Sequence, residues 1–147
     1  EQLHLTLAFL GEQPIDRVEA AHEALEAVAA PAFDLRLTGL GVFDERRPRV
    51  VWAGVAEDGP LRGLRARVLS ALRGAGLAVE RRRFRPHVTL ARLDPLDGGG
   101  EERLARFLSR WQAFPCPAFR VEGFGLWRST LRPDGAIHEE LARYPLA

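Results

Sequence analysis

Lysine is absent from this 147-residue chain, and so is methionine. All 21 basic residues are therefore arginine. The single cysteine, Cys116, excludes an internal disulfide and a multi-cysteine metal site. No apolar run approaches the length of a membrane span, and no signal-peptide pattern leads the chain. A cytoplasmic location is the default and no membrane partner is expected. The formal net charge of +1 rules out a bulk polycation. The run Asp97-Gly98-Gly99-Gly100 lacks the lysine and the spacing of a phosphate-binding P-loop, so it reads as a flexible linker loop.

What is present suits one globular domain over residues 1–147. Hydrophobic residues make up 46% and charged residues 28%. The arginines cluster at Arg46, Arg47 and Arg49, and at Arg81, Arg82, Arg83, Arg85 and Arg92. Guanidinium forks suit phosphate oxygens. The same clusters also fit a solvated, arginine-rich surface.

Residues 2–9 alternate. Leu3, Leu5, Leu7 and Phe9 fall on one side, His4, Thr6 and Ala8 on the other, as in a half-buried strand. A helix is predicted from Ile15 to Ala30, ended by Pro31. Strand-like pieces follow at 33–37, 40–43 and 49–55. Leu61, Leu64, Val68, Leu69 and Leu72 mark a second helix. Residues 79–93 read as a strand region interrupted by Pro86, which fits a strand's start better than its middle. A third helix spans about 101–111 with Leu104, Phe107, Leu108 and Trp111 inward. Two closing strands, 119–128 and 137–144, are joined by Arg132-Pro133-Asp134-Gly135. The order predicts a mixed α+β fold with largely antiparallel pairing, built from two similar halves.

Each half carries one His-x-Thr triplet: His4-Leu5-Thr6 and His87-Val88-Thr89. Residues i and i+2 of a strand share a face, so each triplet presents an imidazole beside a hydroxyl. The aliphatic neighbours anchor each strand in the core. One triplet is what any amphipathic strand provides. Two are harder to reach by chance, because a shuffled chain of this composition holds roughly 0.1 of them.

Two imidazoles form an acid–base couple at neutral pH, one taking a proton while the other gives one. Hydroxyls and arginine hold a charged pentavalent centre. A phosphodiester fits, and a cyclic phosphate is a natural substrate because ring strain eases departure of the leaving oxygen. Such chemistry needs no cofactor and no metal. A zinc site assembled from His4, His87 and a third group stays open, although the usual ligand spacings are absent. Ser70, Ser109, Ser129 and Cys116 sit in no nucleophile motif. His22 lies near the inner stripe of the first helix and reads as structural. His138 reads as structural or exposed. Phe9, Trp52 and Phe84 suit the core, and each would serve for nucleobase contact if exposed beside the site. Arg92 lies five residues after His87. Strict alternation puts it on the opposite face unless the strand bends after Thr89.

HLTLAFLGE and RPHVTLAR resemble the two signature motifs of the two-histidine (2H) phosphoesterases. They are most similar to those of the RNA 2′,3′-cyclic phosphodiesterases, also called 2′-5′ RNA ligases. PRVVWAGV and GFGLWRSTLRPDG resemble that family's later strands. The resemblance covers essentially the whole chain.

It implies a bilobal, pseudo-two-fold α+β fold with two antiparallel sheets, helices on the outer faces, and a site in the cleft between lobes. It implies hydrolysis of an RNA terminal 2′,3′-cyclic phosphate to a 2′-phosphate, with a reversible 2′-5′ ligase activity. His4 would donate the proton to the departing oxygen and His87 would activate water. Thr6, Thr89 and Arg92 would bind the phosphate. The implied partner is RNA with a 2′,3′-cyclic phosphate end; a monomer is expected. A small cyclic nucleotide, an ADP-ribose cyclic phosphate or mere binding of RNA ends remain as alternatives.

This sequence departs from the family in two places. Members carry a strand and a helix before the first motif, so residues upstream of Glu1 are expected. Members often have an aromatic where His138 stands.

Overall fold

The computed structural model describes residues 3–147. Two helices come early, α1 (Ile15–Glu26) and α2 (Gly59–Gly74), and a third, α3 (Gly98–Arg110), comes late. The strands are β1 (Phe33–Val42), β2 (Val50–Ala56), β3 (His87–Arg92), β4 (Phe119–Val121), β5 (Gly123–Arg132) and β6 (Gly135–Pro145). One antiparallel sheet has the order β3-β2-β1-β4 and the other is the β5-β6 hairpin. The α+β class and the two antiparallel sheets agree with the expectation from sequence.

The core gathers Ala21 and Leu25 of α1, Leu61, Leu64, Val68 and Leu72 of α2, Phe33 and Leu35 of β1, and Tyr144 and Leu146 at the end of the chain. Burying such side chains contributes about 1.5–3 kcal/mol each. The apolar stripes at helical spacing therefore dictate which faces of α1 and α2 turn inward. The closing residues are tied in by backbone bonds. Ala32 N donates to Ala147 O at 2.7 Å, Ala147 N to Ala30 O at 3.1 Å, and Leu146 N to Glu122 O at 2.8 Å.

The elements differ from the sequence reading in several places. The strand predicted over 2–9 is reduced to one bridge, Leu5 to Val88; Gln2 lies outside the described residues. Side-chain donors reach the carbonyls of this stretch and of the residue just beyond it. Arg65 Nε donates to Leu7 O at 3.0 Å and Gln13 Nε2 to Leu10 O at 2.5 Å. Leu3 and Phe9, expected inside, are exposed.

The first helix stops at Glu26, earlier than Ala30. The pieces at 33–37 and 40–43 are one strand with an irregularity between Thr38 and Leu40, where Gly39 adopts positive φ. Residues 79–86 are irregular, and the strand begins at His87, just after Pro86. The glycine run is no linker. Asp97 caps α3 by accepting from Gly100 N at 2.6 Å, and Gly98–Gly100 form its first turn. Phe107 and Trp111 of that helix, expected inside, are exposed, while Leu104 and Leu108 are half-buried.

Candidate active site

The two triplets meet at their middle residues. Leu5 and Val88 form an antiparallel bridge. That register sets His4 across from Thr89 and Thr6 across from His87, with opposed Cα atoms about 4.5–5.5 Å apart. Diagonal neighbours on such a pair stand about 7–8 Å apart, which is the relation between His4 and His87 in this register. Val88 is buried and Leu5 packs against the core, which turns the four polar side chains to the other face.

The next strand supplies the floor. Gly54 stands opposite His87, and Trp52 stands opposite Thr89. Two glycines keep this floor low. A Cβ on Gly41, the cross-strand partner of Trp52, would overlap the indole. A Cβ on Gly54 would come within 2.8 Å of the Thr38 carbonyl.

Arg92 joins the same face through a register shift. Trp52 pairs with Thr89 but Val51 pairs with Ala91, leaving Leu90 as an extra residue on β3. After that shift Arg92 pairs with Val50. Val50, Trp52 and Gly54 alternate onto one face of β2, so their partners Arg92, Thr89 and His87 do as well. The bend that strict alternation required after Thr89 is this one-residue irregularity.

His87 Nδ1 lies 2.7 Å from the Arg85 carbonyl. A carbonyl only accepts, so Nδ1 carries the hydrogen and Nε2 of the neutral ring is left as a proton acceptor. Phe43 meets the His87 ring edge-on, with centroids 4.7 Å apart, and Trp52 lies 6.2 Å away. His4 is exposed and meets the ring of His138 at 4.8 Å. His138 in turn lies 2.8 Å from Ser129 Oγ through Nδ1.

Neither Phe43 nor His138 was singled out for the site by sequence. A pattern with period two carries no signal for rings that arrive from other elements. Phe9 is exposed, and Trp52 is half-buried on the site floor. Phe84 packs against the core, with the Arg65 guanidinium 4.5 Å from its centroid and that of Arg62 at 5.5 Å. Its place is a support beneath the first motif, since Arg65 also holds the Leu7 carbonyl. Burial, and then the charges of Arg62 and Arg73, push the Arg65 pKa down from its ordinary value. His22 lies apart, with Nδ1 2.9 Å from the Tyr144 hydroxyl, as its structural reading required. Among the described residues no cluster of three His, Cys, Asp or Glu is placed to hold a metal ion.

The sequence model of the 2′-5′ RNA ligase superfamily matches residues 1–132. The chain belongs to this superfamily. Similar proteins point the same way. The RNA 2′,3′-cyclic phosphodiesterase of Aeropyrum pernix is 41% identical over 143 residues, covering 96% of this chain and 80% of that protein. The enzyme of the same description from Geobacillus stearothermophilus is 46% identical over 95 residues, which span 63% of this chain and 30% of its own length. Among solved structures, Escherichia coli LigT complexed with 3′-AMP superposes with a TM-score of 0.72 at 28% identity, over 99% of this chain and 77% of that one.

Proposed function

We propose that this chain hydrolyses RNA 2′,3′-cyclic phosphate ends to 2′-phosphates with a two-histidine acid–base pair and no metal. The observation that carries the reading is the Leu5–Val88 bridge, which sets both histidines and both threonines on one face. Its superfamily membership and its similarity to RNA 2′,3′-cyclic phosphodiesterases support it.

His87 Nε2 takes a proton from water as the water oxygen attacks phosphorus. The P–O3′ bond breaks, and His4 gives its proton to the departing O3′. Thr6, Thr89 and Arg92 hold the charge that builds on the phosphoryl oxygens. With an RNA 5′-hydroxyl in place of water, the same steps in the same histidine roles join a 2′-5′ bond, and their reversal, with the roles exchanged, cleaves it. The tautomer that Arg85 imposes on His87 favours it as the base of the hydrolytic direction. Trp52 on the site floor and the exposed Phe9 are the rings offered to a nucleobase. No helix among the described residues is long and apolar enough to cross a membrane. A cytoplasmic, monomeric enzyme goes with this reading.

The test is a short RNA with a 2′,3′-cyclic phosphate end, incubated in EDTA with wild type and His87→Ala. The expected product is the 2′-phosphate, formed by wild type alone. A 3′-phosphate product or a strict metal requirement refutes the mechanism.

A further inference from the structure

Each reactive imidazole meets a neighbouring ring edge-on. His87 meets Phe43 with centroids 4.7 Å apart and planes at 83°. His4 meets His138 at 4.8 Å and 62°. The two contacts match in distance and in edge-on character, a geometry the charge distribution of aromatic rings favours. Yet they come from different elements: Phe43 directly follows β1, and His138 belongs to β6.

Each backing ring is itself held. Phe43 packs on Trp52 with centroids 5.5 Å apart, and Trp52 lies across Gly41. His138 is fixed by the Ser129 hydroxyl at 2.8 Å, from its cross-strand partner. Glu140, two residues along β6 from His138, is engaged elsewhere. It accepts from Arg143 at 3.1 and 2.7 Å, and that bond is the main reason its pKa lies below the ordinary carboxylate value.

Opening a cyclic phosphate requires one nitrogen aimed at water and another aimed at O3′. The backbone fixes the direction of Cα–Cβ but not, by itself, the two side-chain torsions of a histidine; at His87 the bond from Nδ1 to the Arg85 carbonyl restricts them as well. A wall beside the ring removes the unproductive rotamers. We propose that Phe43 and His138 are a matched pair of positioning residues, each fixing the orientation of the catalytic imidazole beside it. The Ser129–His138 unit does for His4 what the Trp52–Phe43 unit does for His87. What His138 contributes is the shape of its ring. This rests on the two-histidine reading above.

The experiment measures kcat and KM on an RNA with a 2′,3′-cyclic phosphate end. The variants are Phe43→Ala, His138→Ala, His138→Phe and Ser129→Ala, with His4→Ala and His87→Ala alongside. Phe43→Ala and His138→Ala are expected to lower kcat by about tenfold or more, since a 1 Å misplacement costs up to ~10²-fold, with KM within about twofold. His138→Phe should restore most of the lost kcat, because it returns a ring without its nitrogens. Ser129→Ala should fall between wild type and His138→Ala. If Phe43→Ala does not fold, Phe43→Leu keeps apolar bulk without the edge-on contact and carries the same expectation.

Wild-type kcat in His138→Ala overturns the proposal. So does a loss confined to KM, which would make these rings substrate contacts. His138→Phe as impaired as His138→Ala overturns it too, because the imidazole's proton would then be what matters. Normal turnover by His4→Ala or His87→Ala would instead sink the two-histidine reading itself.

Discussion

Leu5 and Val88 are bridged in antiparallel register although 82 residues separate them in the chain. Val88 is buried and Leu5 packs against the core, and their pairing sets the register of the two triplets. Replacing Val88, which is buried, should therefore act at a distance. Val88→Ala is expected to cost about 2 kcal/mol in stability through the cavity it leaves, and to lower kcat more than it raises KM. Chemical denaturation and steady-state kinetics on the same preparation check both parts.

Arg92 should be needed for rate, and its pairing with Val50 should be what places it. Arg92→Leu is expected to lower kcat/KM by about 10²-fold, the scale for removing one donor to a developing charge. Deleting Leu90 removes the register shift but leaves Arg92 two residues after Thr89, still opposite Val50 and on the same face. The folded deletion variant should therefore keep far more activity than Arg92→Leu. If it is as slow as Arg92→Leu, the cross-strand register does not place the guanidinium.

Gly41→Ala puts a methyl where the Trp52 ring lies. Overpacking of this kind costs roughly 1–3 kcal/mol. The displaced indole also disturbs Phe43, so activity should fall together with the unfolding temperature. An alanine variant as stable as wild type would mean the indole swings aside without cost.

Asp97→Ala offers a contrast. It removes the N-cap of α3 and should cost about 1 kcal/mol. Turnover at a temperature where the variant is fully folded should not change.

Tyr144 ties stability to alkaline pH. Burial first, and the Glu26 carboxylate second, push its hydroxyl up from the ordinary value. The folded state thus holds this proton more tightly than the unfolded chain does. Its contribution is complete below about pH 10, the unfolded value, and is lost as pH rises through the folded one. Wild type should lose unfolding free energy faster than Tyr144→Phe above about pH 10. Parallel curves would refute the assignment.

The sequence carried the helical stripes, the antiparallel order and the four polar residues of the two triplets, because each depends on a local period. It failed where long-range contacts override that period. The first triplet belongs to no named strand: a single bridge at Leu5 holds it, and Arg65 takes the Leu7 carbonyl just after it. Phe84 turned out to be a support because a guanidinium folds over it from α2. Asp97-Gly98-Gly99-Gly100 has loop composition, and the aspartate's bond to Gly100 N makes it a helix start. His138 and Phe43 reach the site from elements whose patterns say nothing about it. Arg92 is the instructive case: five residues is an odd separation, and one bulged residue restores the face it shares with His87.

The bridge between the triplets also bears on the order of events when the chain is made. Synthesis from the N-terminus delivers the first triplet long before the second. Until Val88 has emerged and docked, His4 stands without His87 beside it. On the two-histidine reading, a product that ends before His87 is therefore expected to leave RNA ends around it untouched.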